Sequence, residues 1–284
     1  MYIQHFGLAQ YPFSLTPDTQ YFLKLPSHQR AFDFIVEALQ DESCFTKITG
    51  EAGIGKTILC RKVLNALDAL ENRYVTALIP NPILDEVSIM YAIAEELKLS
   101  FDPFESYYVL LKLISEELIR LSVLGWTTVL LIDDAQAITE ESLEAIYLLT
   151  AIKKGADQPI PLQVILFGQP ELDDLLQRLA LHELSPVSYE LARLERNDVE
   201  AYLDHRLIKA GYNGSNLFTH KAVDLISRSS NGIPRLINII AHKALMVAFG
   251  KRDYALTDKH IKLALEDIHY AQQKKLRTPR FFST

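Results

Sequence analysis

The chain has 284 residues, of which 49% are hydrophobic and 23% are charged. This composition supplies enough apolar material for a large core and excludes intrinsic disorder as the default state. The formal net charge of −7 argues against a surface devoted to nucleic acid or anionic lipid. No apolar run approaches the ~20 residues needed to span a bilayer, and the N-terminus lacks a signal-peptide pattern, so we expect a cytoplasmic protein.

The two cysteines, Cys44 and Cys60, lie in apolar stretches of the sequence. Their spacing matches no metal-binding pattern, and a cytoplasmic compartment keeps thiols reduced. We therefore expect buried, reduced thiols at both positions rather than a disulfide.

The first 26 residues mix aromatic side chains with prolines, a pattern too irregular for a helix and too apolar for a flexible tail. We expect this segment, 1–26, to pack on the folded core. Ser27 is the predicted N-cap of a first helix. A strand is predicted from Cys44 to Thr49, followed by a glycine-rich turn and a helix from Lys56 to about Leu70.

Strands and helices then alternate up to residue 194. The strands are apolar on both faces, which predicts an α/β core of residues 27–194 with a five-stranded parallel sheet flanked by helices. The other predicted strands are 74–79, 127–132, 161–167 and 187–191, and the helices between them are 85–97, 105–124, 140–152 and 171–179.

Beyond residue 194 the pattern changes to helices alone. They are predicted at 198–210, 219–229, 234–249 and 258–270, which indicates a separate all-helical lid of residues 195–270. The basic tail 271–284 is predicted to be a disordered, solvated terminus, with a docking peptide that contains Phe281 and Phe282 as the alternative.

A glycine-rich segment follows the first predicted strand and opens the next helix. It matches the P-loop pattern G-x-x-x-x-G-K-[ST], in which backbone N–H groups and a helix N-terminus bind phosphates. Lys56 is expected to reach the β and γ phosphates of ATP, and the Thr57 hydroxyl is expected to bind Mg²⁺. The predicted nucleotide-binding residues of this segment are Gly50, Glu51, Ala52, Gly53, Ile54, Gly55, Lys56, Thr57 and Ile58.

The apolar strand at 127–132 ends in two carboxylates, Asp133 and Asp134. Asp133 is the candidate to hold Mg²⁺, partly through water. Asp134 stands where a carboxylate would polarise the attacking water. Together with the P-loop, the acidic pair indicates ATP hydrolysis.

Two further polar positions are candidates for sensing the nucleotide. Gln169 follows the strand at 161–167, where a side chain can contact the γ phosphate, although an ordinary strand-exit turn explains it nearly as well. Pro234 is predicted to begin a helix with Arg235 next to it, which would let Arg235 fold back over the nucleotide. A solvated surface arginine is the alternative.

Several motifs together carry a resemblance to a known family. They are Phe6-Gly7-Leu8, Pro12-Phe13, Thr16-Pro17-Asp18, Gly50 to Thr57, Leu130 to Gln136, Phe167 to Leu172, Tyr202 to Leu207 and Gly232 to Asn238. Over about residues 2–268 the chain resembles the general secretion pathway protein A (ExeA-type) ATPases. Within that family it is most similar to the ATPases for biogenesis of the mannose-sensitive haemagglutinin (MSHA) type IV pilus. Its length favours that group, because the secretion-pathway members continue into a membrane span and a periplasmic domain.

The resemblance implies an AAA+ P-loop NTPase with a helical lid, in which Gln169 is the first sensor and Arg235 is the lid sensor. It implies partners among pilus-assembly or inner-membrane secretion proteins, contact with the membrane only through those partners, and a homo-oligomer as an option. Two departures point to weak catalysis. Asp134 replaces the family's glutamate, and the segment 182–186 lacks the arginines that relatives carry there.

Three functions remain open on these grounds. The leading hypothesis is an ATPase whose cycle moves the lid against the core and changes affinity for pilus-assembly partners. The second is an assembly scaffold that binds ATP with little turnover, which steady-state phosphate release would distinguish. The third is a DNA-associated ATPase of the transposition type, which would need clustered basic residues and has the acidic total against it.

Overall fold

The computed structural model describes residues 2–16, 18–23, 25–41, 43–70, 73–154, 158–159, 162–178 and 186–277. The chain divides into two compact units. The sheet unit runs from Pro26 to Ala192, and the helical unit combines Met1–Leu25 with Arg193–Thr284.

Helices and strands alternate through the sheet unit and give way to helices alone in the helical unit. Of the helices in the described ranges, none is both long enough and apolar enough to cross a bilayer. In chain order the elements are α1 (Tyr2–His5), α2 (Pro26–Gln40), β1 (Phe45–Thr49), α3 (Lys56–Asp68), β2 (Tyr74–Ile79), α4 (Glu86–Glu96), α5 (Tyr107–Val123), β3 (Thr127–Ile132), α6 (Glu140–Thr150), β4 (Lys153–Lys154), β5 (Gln158–Pro159), β6 (Leu162–Gly168), α7 (Glu171–Arg178), β7 (Val187–Glu190), α8 (Arg196–Lys209), α9 (His220–Ser230), α10 (Pro234–Lys251) and α11 (Asp258–Arg277).

One five-stranded sheet organises the sheet unit, with all strands parallel in the order β2-β3-β6-β1-β7. Every residue of the central strand β6 is buried, whereas β7 at the edge is mostly exposed. The predicted five-stranded parallel sheet is therefore confirmed. Because parallel strands end at the same edge of a sheet, the segments that follow β1, β3 and β6 lie close together, and they carry the candidate site.

Three local predictions need correction. α2 begins at Pro26, so Ser27 lies inside the helix and is buried rather than capping it. Cys44 is exposed because it precedes the first residue of β1, whereas Cys60 is buried as expected. The helix α11 extends to Arg277, into the segment expected to be disordered, while Phe281 and Phe282 lie outside the described residues.

A short antiparallel hairpin, β4 with β5, was not predicted. Each of its strands has two residues, and Lys153, Lys154 and Gln158 are polar. A pairing this short has no hydrophobic alternation, so periodicity cannot detect it.

The helical unit has its own hydrophobic core, to which the N-terminal segment contributes. Tyr2, Phe6 and Phe13 are buried there among side chains of α8, α9 and α10. We expected this segment to pack on the ATPase core, but it is part of the helical unit. The physical reason is that its aromatic rings fill the apolar faces of these helices, where each ring buries a large area.

Arg206 of α8 fastens the N-terminal segment to that helix. Its side chain is 6% exposed, and Nε donates a hydrogen bond to the Pro12 carbonyl at 2.6 Å. The guanidinium also lies 4.6 Å from the centre of the Tyr21 ring, a cation–π contact. A buried charge satisfied in this way makes the segment an integral part of the helical unit.

Candidate nucleotide-binding site

The segment between β1 and α3 has the backbone geometry of a phosphate-binding loop. Gly53 and Gly55 have φ values of 82° and 116°, which glycine adopts readily and other residues do not. The helix α3 starts directly after Gly55, and a glycine at the N-cap has no side chain to bind the N–H groups of the first turn. These donors, with the positive end of the helix, suit an anionic group such as a phosphate.

Lys56 is the only charged residue of the loop pattern that is buried, with 6% of its surface exposed. Its Nζ donates to the carbonyls of Gly50 at 2.7 Å and Glu51 at 3.1 Å, which holds the ammonium within the loop. Burial lowers the pKa of Lys56, and the carboxylates of Asp134, Asp133 and Glu171 oppose that shift. This buried ammonium suits an anionic ligand, because the acceptors that hold it are uncharged backbone carbonyls.

The Thr57 hydroxyl lies close enough to the Asp133 carboxylate to influence its pKa through hydrogen bonding. Asp133 is 6% exposed at the end of β3, and burial raises its pKa, while the bond from Thr57 acts in the opposite direction. A hydroxyl and a carboxylate are oxygen ligands of the kind that Mg²⁺ prefers. These two residues therefore fit the predicted magnesium site.

Asp134 differs from Asp133 in exposure and backbone. It is exposed, with φ of 52° and ψ of 38°, a left-handed conformation that aspartate tolerates better than most residues. Its carboxylate accepts a hydrogen bond from Nε2 of Gln136 at 3.3 Å. The predicted general base is thus held by a neighbouring side chain.

Gln136 connects the ends of two strands and was missed in the sequence. Its Oε1 accepts a hydrogen bond from the backbone N–H of Gln169 at 2.9 Å, while its Nε2 binds Asp134. Gln169 is partly exposed directly after β6, and its role as a sensor stays a prediction. The available signal was a polar residue two positions after Asp134.

The remaining loop residues have different exposures. Ile54 is fully buried, so its side chain packs in the core and only its backbone can bind a ligand. Ala52 is exposed, and Glu51 and Ile58 are half-buried. Glu171, the first residue of α7, was also missed, although its carboxylate is close enough to influence Lys56.

Pro234 and Arg235 lie in the helical unit. Pro234 is the first residue of α10, and Arg235 next to it is exposed. Within this unit, Gly232 has φ of 70° and its carbonyl accepts a hydrogen bond from the Leu194 N–H at 3.0 Å, which fixes the turn before α10. Nucleotide contact by Pro234 or Arg235 stays a prediction. Of the segment 182–186, only Pro186 lies within the described residues.

Comparison of sequences adds a family and a relative. Residues 40–176 match the AAA domain family. General secretion pathway protein A of Aeromonas hydrophila is 36% identical over 271 residues, which cover 94% of this chain and 48% of that protein. The chain thus spans about half the length of this curated relative.

Solved structures share the fold at low identity. A structure of Drosophila ORC bound to DNA has a TM-score of 0.67 at 19% identity, covering 98% of this chain and 68% of that one. Cdc6p from Pyrobaculum aerophilum has a TM-score of 0.67 at 16% identity, covering 90% and 70%. At such identities the likeness shows the fold alone. Together with the parallel sheet, the phosphate-binding loop and the C-terminal helices, it shows that the chain has the fold of an AAA-type P-loop NTPase.

Proposed function

We propose that this protein binds ATP with Mg²⁺ and hydrolyses it in the service of a protein-assembly machine, an MSHA-like type IV pilus or related secretion machinery. The observation that carries the proposal is the position of Lys56. It is buried at the start of α3 and held by the carbonyls of Gly50 and Glu51, close to the Asp133 carboxylate.

The loop and the first turn of α3 would hold the triphosphate. The N–H groups from Gly53 to Thr57 donate to phosphate oxygens, and the Lys56 ammonium binds the β and γ phosphates. When bound, Mg²⁺ would offset the charge of the phosphates. Thr57 and Asp133 would hold that ion, Asp133 partly through water.

Asp134 would act as the general base and Gln169 as the first sensor. The base accepts a proton from the attacking water, which requires a carboxylate within hydrogen-bond reach. Gln136 orients both residues, because one end of its amide binds the Asp134 carboxylate and the other binds the Gln169 backbone. Arg235 is proposed as the lid sensor that contacts the nucleotide from the helical unit.

The assembly role is supported by similarity to general secretion pathway protein A, whose name places it in secretion. On this proposal the partners are pilus-assembly or inner-membrane secretion proteins, and the protein acts on the cytoplasmic side of that membrane through them. Self-association into a homo-oligomer is part of the proposal, since AAA-type sites are often completed by a neighbour.

A nucleotide-gated scaffold with little turnover is the second candidate, and Asp134 favours it. Aspartate is one methylene shorter than glutamate, about 1.5 Å of reach, and a displacement of that order can reduce a rate by as much as ~100-fold. Steady-state phosphate release distinguishes the two functions, because both require ATP binding and only the first requires turnover.

The test of nucleotide binding is titration of the protein with a fluorescent ATP analogue and Mg²⁺. Lys56→Ala should weaken binding at least about 100-fold, because charge-assisted bonds to the phosphates are lost. Lys62→Ala, a lysine-to-alanine change on the same helix α3, is the matched control and should bind normally. Undiminished affinity of Lys56→Ala would overturn the proposal.

A further inference from the structure

A buried histidine lies against the phosphate-binding loop. His28, on the first turn of α2, is 5% exposed, and the adjoining Ser27 is 4% exposed. The imidazole Nε2 lies 3.1 Å from the carbonyl oxygen of Ile54, and Nδ1 lies 3.2 Å from the Ser27 hydroxyl. One side chain thus connects α2 to the middle of the loop.

The partners of His28 determine where its proton sits. A carbonyl oxygen only accepts hydrogen bonds, so Nε2 must carry the hydrogen that binds Ile54. In the neutral ring Nδ1 is then the acceptor, and the Ser27 hydroxyl can donate to it. Ser27 therefore favours the tautomer that the contact with Ile54 needs.

The position of the Ile54 carbonyl determines the direction of the next N–H group. In a planar trans peptide the C=O and the following N–H point in opposite directions. When His28 holds the carbonyl of Ile54 on the α2 side, the N–H of Gly55 is directed to the other side of the chain. A phosphate-binding loop binds its ligand through N–H groups of this kind, so the direction of the Gly55 N–H matters for phosphate binding.

The loop passes so close to the ring that residue 55 must be glycine. A Cβ atom at Gly55 would lie 2.7 Å from His28 Nε2, and the φ of this glycine is 116°. Gly55 thus has two reasons to be glycine: its backbone angle and the imidazole behind it.

We infer that His28 is a positioning residue for the phosphate-binding loop, which orients the Ile54–Gly55 peptide so that the Gly55 N–H faces the triphosphate. The inference rests on the ATP binding proposed above. His28 does not touch the nucleotide in this role. It acts through the peptide that it holds.

The test compares His28→Leu, His28→Gln and His28→Asn by titration with the fluorescent ATP analogue. Leucine removes the donor and should weaken binding about two- to tenfold, the fold-change that one lost hydrogen bond gives. Glutamine can place an amide N–H near the position of Nε2 and should restore affinity to within about twofold, whereas the shorter asparagine should not. In the ATPase assay, KM should rise with little change in kcat.

His260→Leu is the matched control, since His260 is also 5% exposed and bonded through both ring nitrogens, but in the helical unit. It should leave ATP affinity unchanged. Thermal unfolding of each variant shows whether it is folded, and if His28→Leu is not, the glutamine and asparagine variants decide.

Three other results of the ATP titrations would contradict the role of His28. Wild-type protein that binds no ATP would overturn the proposed function and this inference together. Normal wild-type binding with equal affinity in His28→Leu would overturn the inference alone. Equal weakening by leucine and glutamine would also overturn it, because packing rather than the donated hydrogen bond would then be responsible.

Discussion

The side-chain amide of Gln136 donates a hydrogen bond to the carboxylate of Asp134, at 3.3 Å. The oxygen of the same amide accepts from the N–H of Gln169, at 2.9 Å. The acidic end of β3 and the polar end of β6 are therefore joined by one side chain. In an ATPase this link would keep the general base and the first sensor in a fixed relation.

Gln136→Ala should lower kcat more than it changes ATP affinity. Without the amide, the Asp134 carboxylate and the Gln169 backbone lose their common hydrogen-bond partner. If this raises the activation free energy by about 1 kcal/mol, kcat falls about fivefold. Steady-state phosphate release at saturating ATP measures it. Gln177→Ala, at an exposed position on α7, is the control and should retain wild-type kcat. A larger effect on affinity than on kcat would show that Gln136 serves binding instead.

Asp134→Glu should raise turnover, by up to ~100-fold if the reach of the carboxylate limits the rate. The left-handed backbone at this position, with φ of 52°, suits aspartate better than glutamate, so the variant should also be slightly less stable. Phosphate release and thermal unfolding measure the two effects. Asp134→Asn keeps the shape, removes the charge and should be inactive. Equal rates for wild type and Asp134→Glu would show that side-chain length is not what limits catalysis.

Gly232→Ala should destabilise the helical unit by at least about 3 kcal/mol. A Cβ atom there would lie 2.1 Å from the Leu194 carbonyl oxygen, on a residue with φ of 70°. Gly250→Ala is the matched control: nothing lies within 4 Å of its Cβ position in α10, so alanine should stabilise by about 0.5–1 kcal/mol. Denaturant unfolding followed by circular dichroism measures both. A neutral Gly232→Ala would mean that the turn before α10 can move.

The stability of the protein should fall as the pH drops below about 6.5, partly because of His242. Burial and the nearby Lys243 lower the pKa of His242 below its ordinary value of 6.5. Through this range the unfolded chain takes up a proton that the folded chain refuses, which costs at most about 1.4 kcal/mol per pH unit per histidine. The effect is absent above the unfolded pKa, where the ring is neutral in both states.

Denaturant unfolding at pH 7.5 and 5.5 checks this expectation. His242→Gln should lose less stability between the two pH values than wild type, since glutamine does not titrate. Burial also lowers the pKa of His205. Because His205 remains in the variant, part of the pH dependence of stability should remain. An unchanged pH dependence in His242→Gln would exclude His242 as a source.

The parallel sheet and the loop were predictable because their signals are local. β3 contains the apolar run 129–132 and β6 the apolar run 164–167, and the glycines, Lys56 and Thr57 follow a fixed spacing. Gln136 was not predictable, because its role depends on Gln169, 33 positions away on a neighbouring strand.

The place of the N-terminal segment was not predictable for the same reason. The contact that fastens it joins Arg206 to Pro12 across 194 positions. Aromatic and proline residues indicate that such a segment packs, but composition does not say against what. Only the tertiary structure shows that its partner is the helical unit.

That arrangement has a consequence for the order of synthesis. The ribosome makes Tyr2, Phe6 and Phe13 before the sheet unit, but it makes the helices that bury them only afterwards. The three rings therefore stay exposed to solvent while the sheet unit is synthesised and folds. Early folding of the sheet unit shortens the flexible loop between the N-terminal segment and the later helices, which lowers the entropy cost of bringing them together. A product truncated within α10 would keep the whole phosphate-binding loop, but it would lack part of the helical unit that buries Tyr2, Phe6 and Phe13.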